Sequence, residues 1–313
     1  LIINPYNFIT DEEHFITYNK AEYICKIFNI TISIEEKFLK YIIYNIQSNS
    51  LNGSLYIPID GTKYDINLNR LILEFCVENN IKKENYNFEC ILYDTLKQVD
   101  ELGKKYITTK YYFNIEKYQT QKVKKLLSKN NFTEVIDKSI IEKELKNYQD
   151  NLISISGIIL SEEQRKAIID SLYYNSNIIT GLPGTGKTEI TKAIVDIHKM
   201  LYPDDIISLI APTGLAANNM TSQQKARYYS KENSGTIHKI YNKFKKLIKS
   251  RKYDYEYEDK DEEVINLMIV DEYSMVDLFV NNWILEMCEY FKCKLILIGD
   301  QNQLQSVGPG KVF

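Results

Sequence analysis

The eight residues GLPGTGKT at 181–188 fit the pattern G-x-x-x-x-G-K-[ST]. With glycine near 7% of average composition, a chance match in a chain this long arises roughly once in 100, so the match calls for a chemical reading. Glycines let a loop curl until its backbone N–H groups point inward at phosphate oxygens, and a helix that starts there adds a favourable dipole. In that reading Gly181, Pro183, Gly184, Thr185 and Gly186 form the cradle, Lys187 brings a point charge to the β and γ phosphates, and Thr188 offers its hydroxyl to Mg2+. A second group completes the chemistry. The stretch NLMIVDEYSMVD (266–277) closes an apolar run on Asp271 and Glu272. Asp271 can hold Mg2+ through its water shell, and Glu272 can polarise an attacking water.

These groups work only if the fold brings them to one edge. Four apolar runs read as buried strands: NIIT (177–180), IISLIA (206–211), NLMIVD (266–271) and KLILIGD (294–300). Ile190, Ile194, Ile197 and Leu201 recur at helical spacing, which predicts a helix after residue 187. Alternating strands and amphipathic stretches specify an α/β fold with a parallel sheet over 151–313. Strand ends in such a sheet share one edge, so the phosphate loop and the acidic pair should meet there. Residues 1–150 differ in texture. They hold three of the twelve glycines (Gly53, Gly61, Gly103) and read as short helices with a few strands. The polar stretches around 47–53 and 218–235 read as loops.

The chain has 313 residues, 44% hydrophobic and 26% charged, enough to bury the core of two or three domains. Its net charge of −3 means that any nucleic acid must be met by local patches. Two basic stretches exist. Residues 104–129 carry eight lysines against Glu116, and residues 220–252 carry ten Lys or Arg against Glu232. The next segment, 253–263, carries seven acids. Cys25, Cys76, Cys90, Cys288 and Cys293 form no CxxC and lack metal-ligand spacing, which predicts reduced thiols, no disulfide and no zinc. No window approaches 18 apolar residues, and the start, LIINPYNFITDEE, lacks the basic region and long apolar run of a signal peptide, so a soluble intracellular protein is expected. Because it begins at Leu1 and stops at Phe313 without a polar tail, it also reads as a piece of a longer polypeptide.

SEEQRKAI (161–168), APTGLAA (211–217), GTIHKIY (235–241), VDEYSMVD (270–277) and GDQNQLQSVGPG (299–310) are arranged in this order around the phosphate loop. Together they resemble the first RecA-like motor domain of RecD-like superfamily 1B DNA helicases. The resemblance implies roles by position. Gln164 resembles the glutamine that pairs with the adenine edge and so selects ATP. Gln303 resembles the γ-phosphate sensor, beside Asp300 in the nucleotide site. Pro212, Thr213, Thr236 and His238 match positions that touch single-stranded DNA. Leu215 stands where the family usually has Arg, and Gln305 where it usually has Pro; neither change touches the hydrolytic residues.

The first half resembles the long RecD-like subfamily through NPYNF (4–8), ITYNKAEYICKIFNI (16–30), NGSLYIP (52–58) and KYITTKYYFNIEKYQTQKV (105–123). This likeness implies a degenerate helix-hairpin-helix over 1–50, with HFITY (14–18) lacking the usual glycines. A winged-helix-like region and linker occupy 51–150, and the motor domain spans 151–313. By the same resemblance, the activity is that of an ATP- and Mg2+-dependent helicase moving 5′ to 3′ on single-stranded DNA. Its second motor domain and arginine finger lie outside these residues, so this stretch alone is expected to hydrolyse ATP poorly. The alternative is a nucleotide-dependent DNA-binding or scaffolding module. A phosphate-loop kinase is disfavoured, since GTIHKIY and GDQNQLQSVGPG have no role in one.

Overall fold

The computed structural model describes residues 4–10, 16–50, 53–62, 65–93, 96–127, 137–223, 228–253, 264–303, 306 and 308–313. The acidic segment, Gln305 and the first two residues of HFITY lie outside them. The chain divides into two compact units, one of residues 1–117 with 307–310 and one of residues 118–306 with 311–313.

The first unit is mainly helical. It contains α1 (Tyr18–Ile27), α2 (Ile34–Ser50), β1 (Ile57–Pro58), α3 (Leu68–Glu78), α4 (Phe88–Tyr93), β2 (Leu96–Glu101), β3 (Lys104–Thr109) and the start of α5 (Lys110–Leu127). Phe38, Phe75 and Phe88 meet at its centre, with Phe38 4.4 Å from Phe88 and 5.2 Å from Phe75 between ring centroids. The strands form an antiparallel sheet in the order β1-β3-β2. Residues 47–50, expected in a loop, complete the last turn of α2 because Ile46 is fully buried and the Ser50 hydroxyl donates to the Gln47 carbonyl.

The second unit is the α/β domain. After α5 come α6 (Lys138–Ser156), α7 (Glu162–Tyr173), β4 (Ser176–Thr180), α8 (Lys187–Leu201), β5 (Ile206–Ala211), α9 (Gly214–Gln223), β6 (Gly235–Thr236), α10 (Ile237–Tyr253), β7 (Ile265–Val270), α11 (Leu278–Phe291) and β8 (Lys294–Gly299). Five strands run parallel in the order β4-β8-β7-β5-β6. Strand alternation divides the core between the faces. Leu267 and Ile269 of β7 pack with Ile194 and Ile197 of α8, whereas Met268 and Val270 pack with Ile284 and Leu285 of α11. Apolar residues on both faces are what a parallel sheet covered by helices requires. Two sequence readings shift. Residues 218–223 belong to α9, which Ala217 and Met220 anchor in the core, and the boundary expected at residue 150 falls inside α6, whose Ile141 and Leu145 join the core of this unit. Among the described residues, no helix is long and apolar enough to cross a membrane, and all five cysteines are free.

Candidate functional site

Because the strands are parallel, Thr180, Ala211, Val270 and Gly299 all end at one edge of the sheet, and the loops beyond them carry the chemistry. The phosphate loop leaves β4 and enters α8 directly at Lys187. Gly184 and Gly186 take left-handed backbone with φ of +79° and +83°, a conformation that glycine adopts without steric cost. A Cβ on Gly181 would stand 2.6 Å from the Thr185 hydroxyl. The Lys187 ammonium folds back over the loop and donates to the Gly181 carbonyl at 2.5 Å and the Leu182 carbonyl at 3.1 Å.

Gln164 closes the loop from the other side. It is the third residue of α7, in a capping box: its backbone N–H donates to the Ser161 hydroxyl, and its side-chain oxygen accepts from the Ser161 N–H at 2.9 Å. The same carboxamide donates through Nε2 to the Thr185 carbonyl at 2.9 Å. One amide thus ties the start of α7 to the phosphate loop, with one N–H left over for a further acceptor. Ser161, the first residue of SEEQRKAI, supports the site without a role assigned from the resemblance, and its cue in the sequence is the spacing Ser-x-x-Gln.

Asp271 lies just after β7, where its backbone N–H donates to the Ile210 carbonyl of β5. Its Oδ1 accepts from the Glu272 N–H at 2.9 Å, and Glu272 takes left-handed backbone at φ +51°. Burial raises the Asp271 pKa above the ordinary carboxylate range, against the opposing pull of the Glu272 N–H and Lys187. Glu272 is raised as well, first by burial, then by Asp271 and Asp300, with Lys187 opposing. The mutual influence of these groups brings Lys187, Asp271, Glu272 and Asp300 into one site. Asp300 is buried at the end of β8; its Oδ1 accepts from the Asn302 N–H at 2.9 Å, while its buried Oδ2 has no partner among the described residues. A buried carboxylate oxygen on the sheet edge that also carries Asp271 and Glu272 supplies hard-oxygen donors of the kind Mg2+ takes. Gln303 lies in the turn beyond, its N–H donating to the Asp300 carbonyl.

The four expected DNA positions lie farther along the same edge. Ala211 of β5 pairs in register with Thr236 of β6, so Pro212 and Thr213 stand beside Thr236 and His238. Each threonine caps a helix. Thr213 accepts from the Ala216 N–H at 3.2 Å at the start of α9, and Thr236 from the Lys239 N–H at 3.3 Å at the start of α10. Both hydroxyls keep a proton to donate, and both helices present their positive ends here. Leu215 is 73% exposed in the first turn of α9, so the missing Arg leaves an apolar surface. His238 is exposed and meets the Trp283 ring edge to face, 5.0 Å between centroids. Sequence spacing gives no hint of Trp283, which lies 45 residues away.

The AAA domain family matches residues 164–309. The chain is 29% identical to the RecBCD enzyme subunit RecD of Buchnera aphidicola subsp. Schizaphis graminum, covering 91% of this chain and 48% of that protein. It is 28% identical to the ATP-dependent RecD2 DNA helicase of Deinococcus radiodurans, covering 48% of this chain and 19% of that protein. It therefore spans about half, or less, of the length of these curated relatives. The solved Pif1 helicase from Candida albicans aligns at 25% identity over 48% of this chain and 34% of its own, with a TM-score of 0.34. With ordered motifs across the second unit and a RecD alignment that covers 91% of its length, the chain is similar to the RecD-like superfamily 1 helicases.

Proposed function

We propose that this chain is the nucleotide-binding motor portion of an ATP-dependent DNA helicase that travels along single-stranded DNA. The observation that carries the reading is the convergence of Lys187, Asp271, Glu272 and Asp300 at the sheet edge that also presents Thr213 and Thr236. A nucleotide polyphosphate would enter the loop, where the N-terminus of α8 and the Lys187 ammonium counter its charge. Lys187 then exchanges the Gly181 and Leu182 carbonyls for phosphate oxygens. Thr188 and Asp271 would hold Mg2+, with Asp300 behind them; when bound, the ion neutralises charge on the phosphates. Glu272, made more basic by burial and by its acidic neighbours, accepts a proton from the attacking water as an oxygen–phosphorus bond forms and ADP leaves. Gln164 would turn its spare N–H to the adenine ring, and Gln303 would report the γ-phosphate toward the DNA edge.

Movement 5′ to 3′, and the roles of 1–50 as a degenerate helix-hairpin-helix and 51–150 as a winged-helix-like region, are proposed on family resemblance. The test is Glu272→Gln in the full-length protein, which keeps the side chain's shape and removes the proton acceptor. It should bind ATP with unchanged affinity and lose at least 100-fold in hydrolysis stimulated by oligothymidine, on the order of what one general base contributes. Turnover at the wild-type rate would remove Glu272 from this role.

A further inference from the structure

Helix α10 begins at the expected DNA edge and continues well past it. Its seventeen residues include seven Lys or Arg and no acid. His238, Asn242, Lys245 and Lys246 are exposed and recur at i, i+4, i+7 and i+8, which sets them along one side of the helix. From His238 to Lys246 that side extends about 12 Å.

The cations here are held rather than loose. Lys245 sits with its ammonium 4.7 Å from the centre of the Tyr241 ring. Tyr241 stacks flat on Trp283 of α11, 4.7 Å between centroids and 10° between planes, and its hydroxyl donates to Glu286 at 2.7 Å. Trp283 in turn meets His238. One aromatic pair, packed against the core, therefore carries His238 at one end and Lys245 at the other. Lys239 donates to the Ser234 carbonyl at 3.5 Å. A ring face and a carbonyl orient an ammonium without cancelling its charge. The other basic helix differs: Lys122 and Lys125 of α5 both pair with Glu289.

We propose that the α10 face formed by His238, Asn242, Lys245 and Lys246 extends the nucleic-acid track, taking additional single-stranded DNA backbone without reading its sequence, and that Trp283 positions His238 for that contact. This rests on the proposed DNA role of the sheet edge, which includes His238, and adds to it Asn242, Lys245 and Lys246, which lie beyond the helicase motifs. Its chemistry suits a phosphate backbone: several oriented donors and a run of positive charge.

The experiment measures oligothymidine binding by fluorescence anisotropy over a range of salt concentrations. Each lost phosphate contact should lower the slope of log affinity against log salt by about 0.7, so Lys245→Ala with Lys246→Ala should lower it by about 1.4. Removing two exposed charges from α6, by Lys143→Ala with Lys146→Ala, should leave the slope unchanged. Nucleotide affinity measured on the same samples confirms that each variant is folded. Trp283→Ala should weaken DNA binding with nucleotide affinity intact, and Trp283→Phe should restore it, because Trp283 acts through ring contact. A wild-type slope retained in the Lys245/Lys246 variant would overturn the α10 proposal alone. Absence of salt-dependent binding by the wild-type chain would overturn both this proposal and the DNA reading beneath it.

Discussion

Gly186 has two separate reasons to be glycine. Its φ of +83° is strained for any residue with a Cβ, and that Cβ would stand 2.5 Å from the Gln164 amide nitrogen. Gly184 has a similar φ of +79° but open space around it. Alanine at 184 therefore tests strain alone, and alanine at 186 also pushes Gln164 off the Thr185 carbonyl. We expect both variants to lose ATP affinity in titration calorimetry, with Gly186→Ala weaker than Gly184→Ala by about tenfold, or 1.4 kcal/mol. Equal losses would show that the Gln164 contact does not shape the loop. The motif is legible from spacing because its glycines, lysine and threonine act within eight contiguous residues. The tie from Gln164 to Thr185 is not, since it joins residues 21 apart and depends on how α7 docks. Asp300 shows the same limit: its place in GDQNQL marks it through resemblance, but only packing reveals that Oδ2 is buried without a partner among the described residues.

At the scale of elements, α7 serves as a lever on the nucleotide site. Ser161 and Gln164 close its capping box, and the same Gln164 reaches the phosphate loop. Ser161→Ala removes the oxygen that accepts the Gln164 N–H, which costs about 1 kcal/mol. A unit of this size should lose roughly 2–4 °C in its thermal midpoint. Calorimetry should also show weaker ATP binding, because a frayed first turn no longer holds the Gln164 carboxamide in place. A lower midpoint with unchanged ATP affinity would separate the cap from the site. Strands are the most legible elements. IISLIA coincides with β5, and the run expected at 266–271 spans Ile265–Val270, leaving Asp271 just beyond the strand where it can act. Periodic apolar content carries that signal whatever the surroundings. The end of α2 and the course of α9 are hidden, because their Asn, Ser and Gln residues resemble a loop until burial of Ile46, Ala217 and Met220 outweighs local preference.

Across the whole second unit, the sheet has opposite ends with different electrostatics. One carries the nucleotide groups. The other begins β8 with Lys294, only 3% exposed, whose ammonium donates to the Leu172 carbonyl near the end of α7. Close by, buried His198 meets Asp205 at 2.8 Å, and its Nδ1 has no partner among the described residues. Burial disfavours the charged lysine and brings its pKa down to about 8, despite the attraction of Asp205. In the unfolded chain Lys294 titrates near 10.4. Between those values the unfolded chain holds a proton that the folded chain has shed, so this group's contribution to stability rises with pH from about 8 to 10.4 and is lost as pH falls back through 8. The full difference is on the order of 3 kcal/mol. The buried thiols of Cys25, Cys76 and Cys293 have raised pKa values and act in the opposite direction over the same range, so a melting curve of the wild type alone would mix the two. Comparison with Lys294→Met cancels the thiols. As pH goes from 7.5 to 10, the thermal midpoint of the wild type should gain on that of the variant, most steeply above pH 8. A constant gap between the two curves would show that folded Lys294 keeps its proton throughout, with the Leu172 carbonyl and Asp205 together outweighing burial.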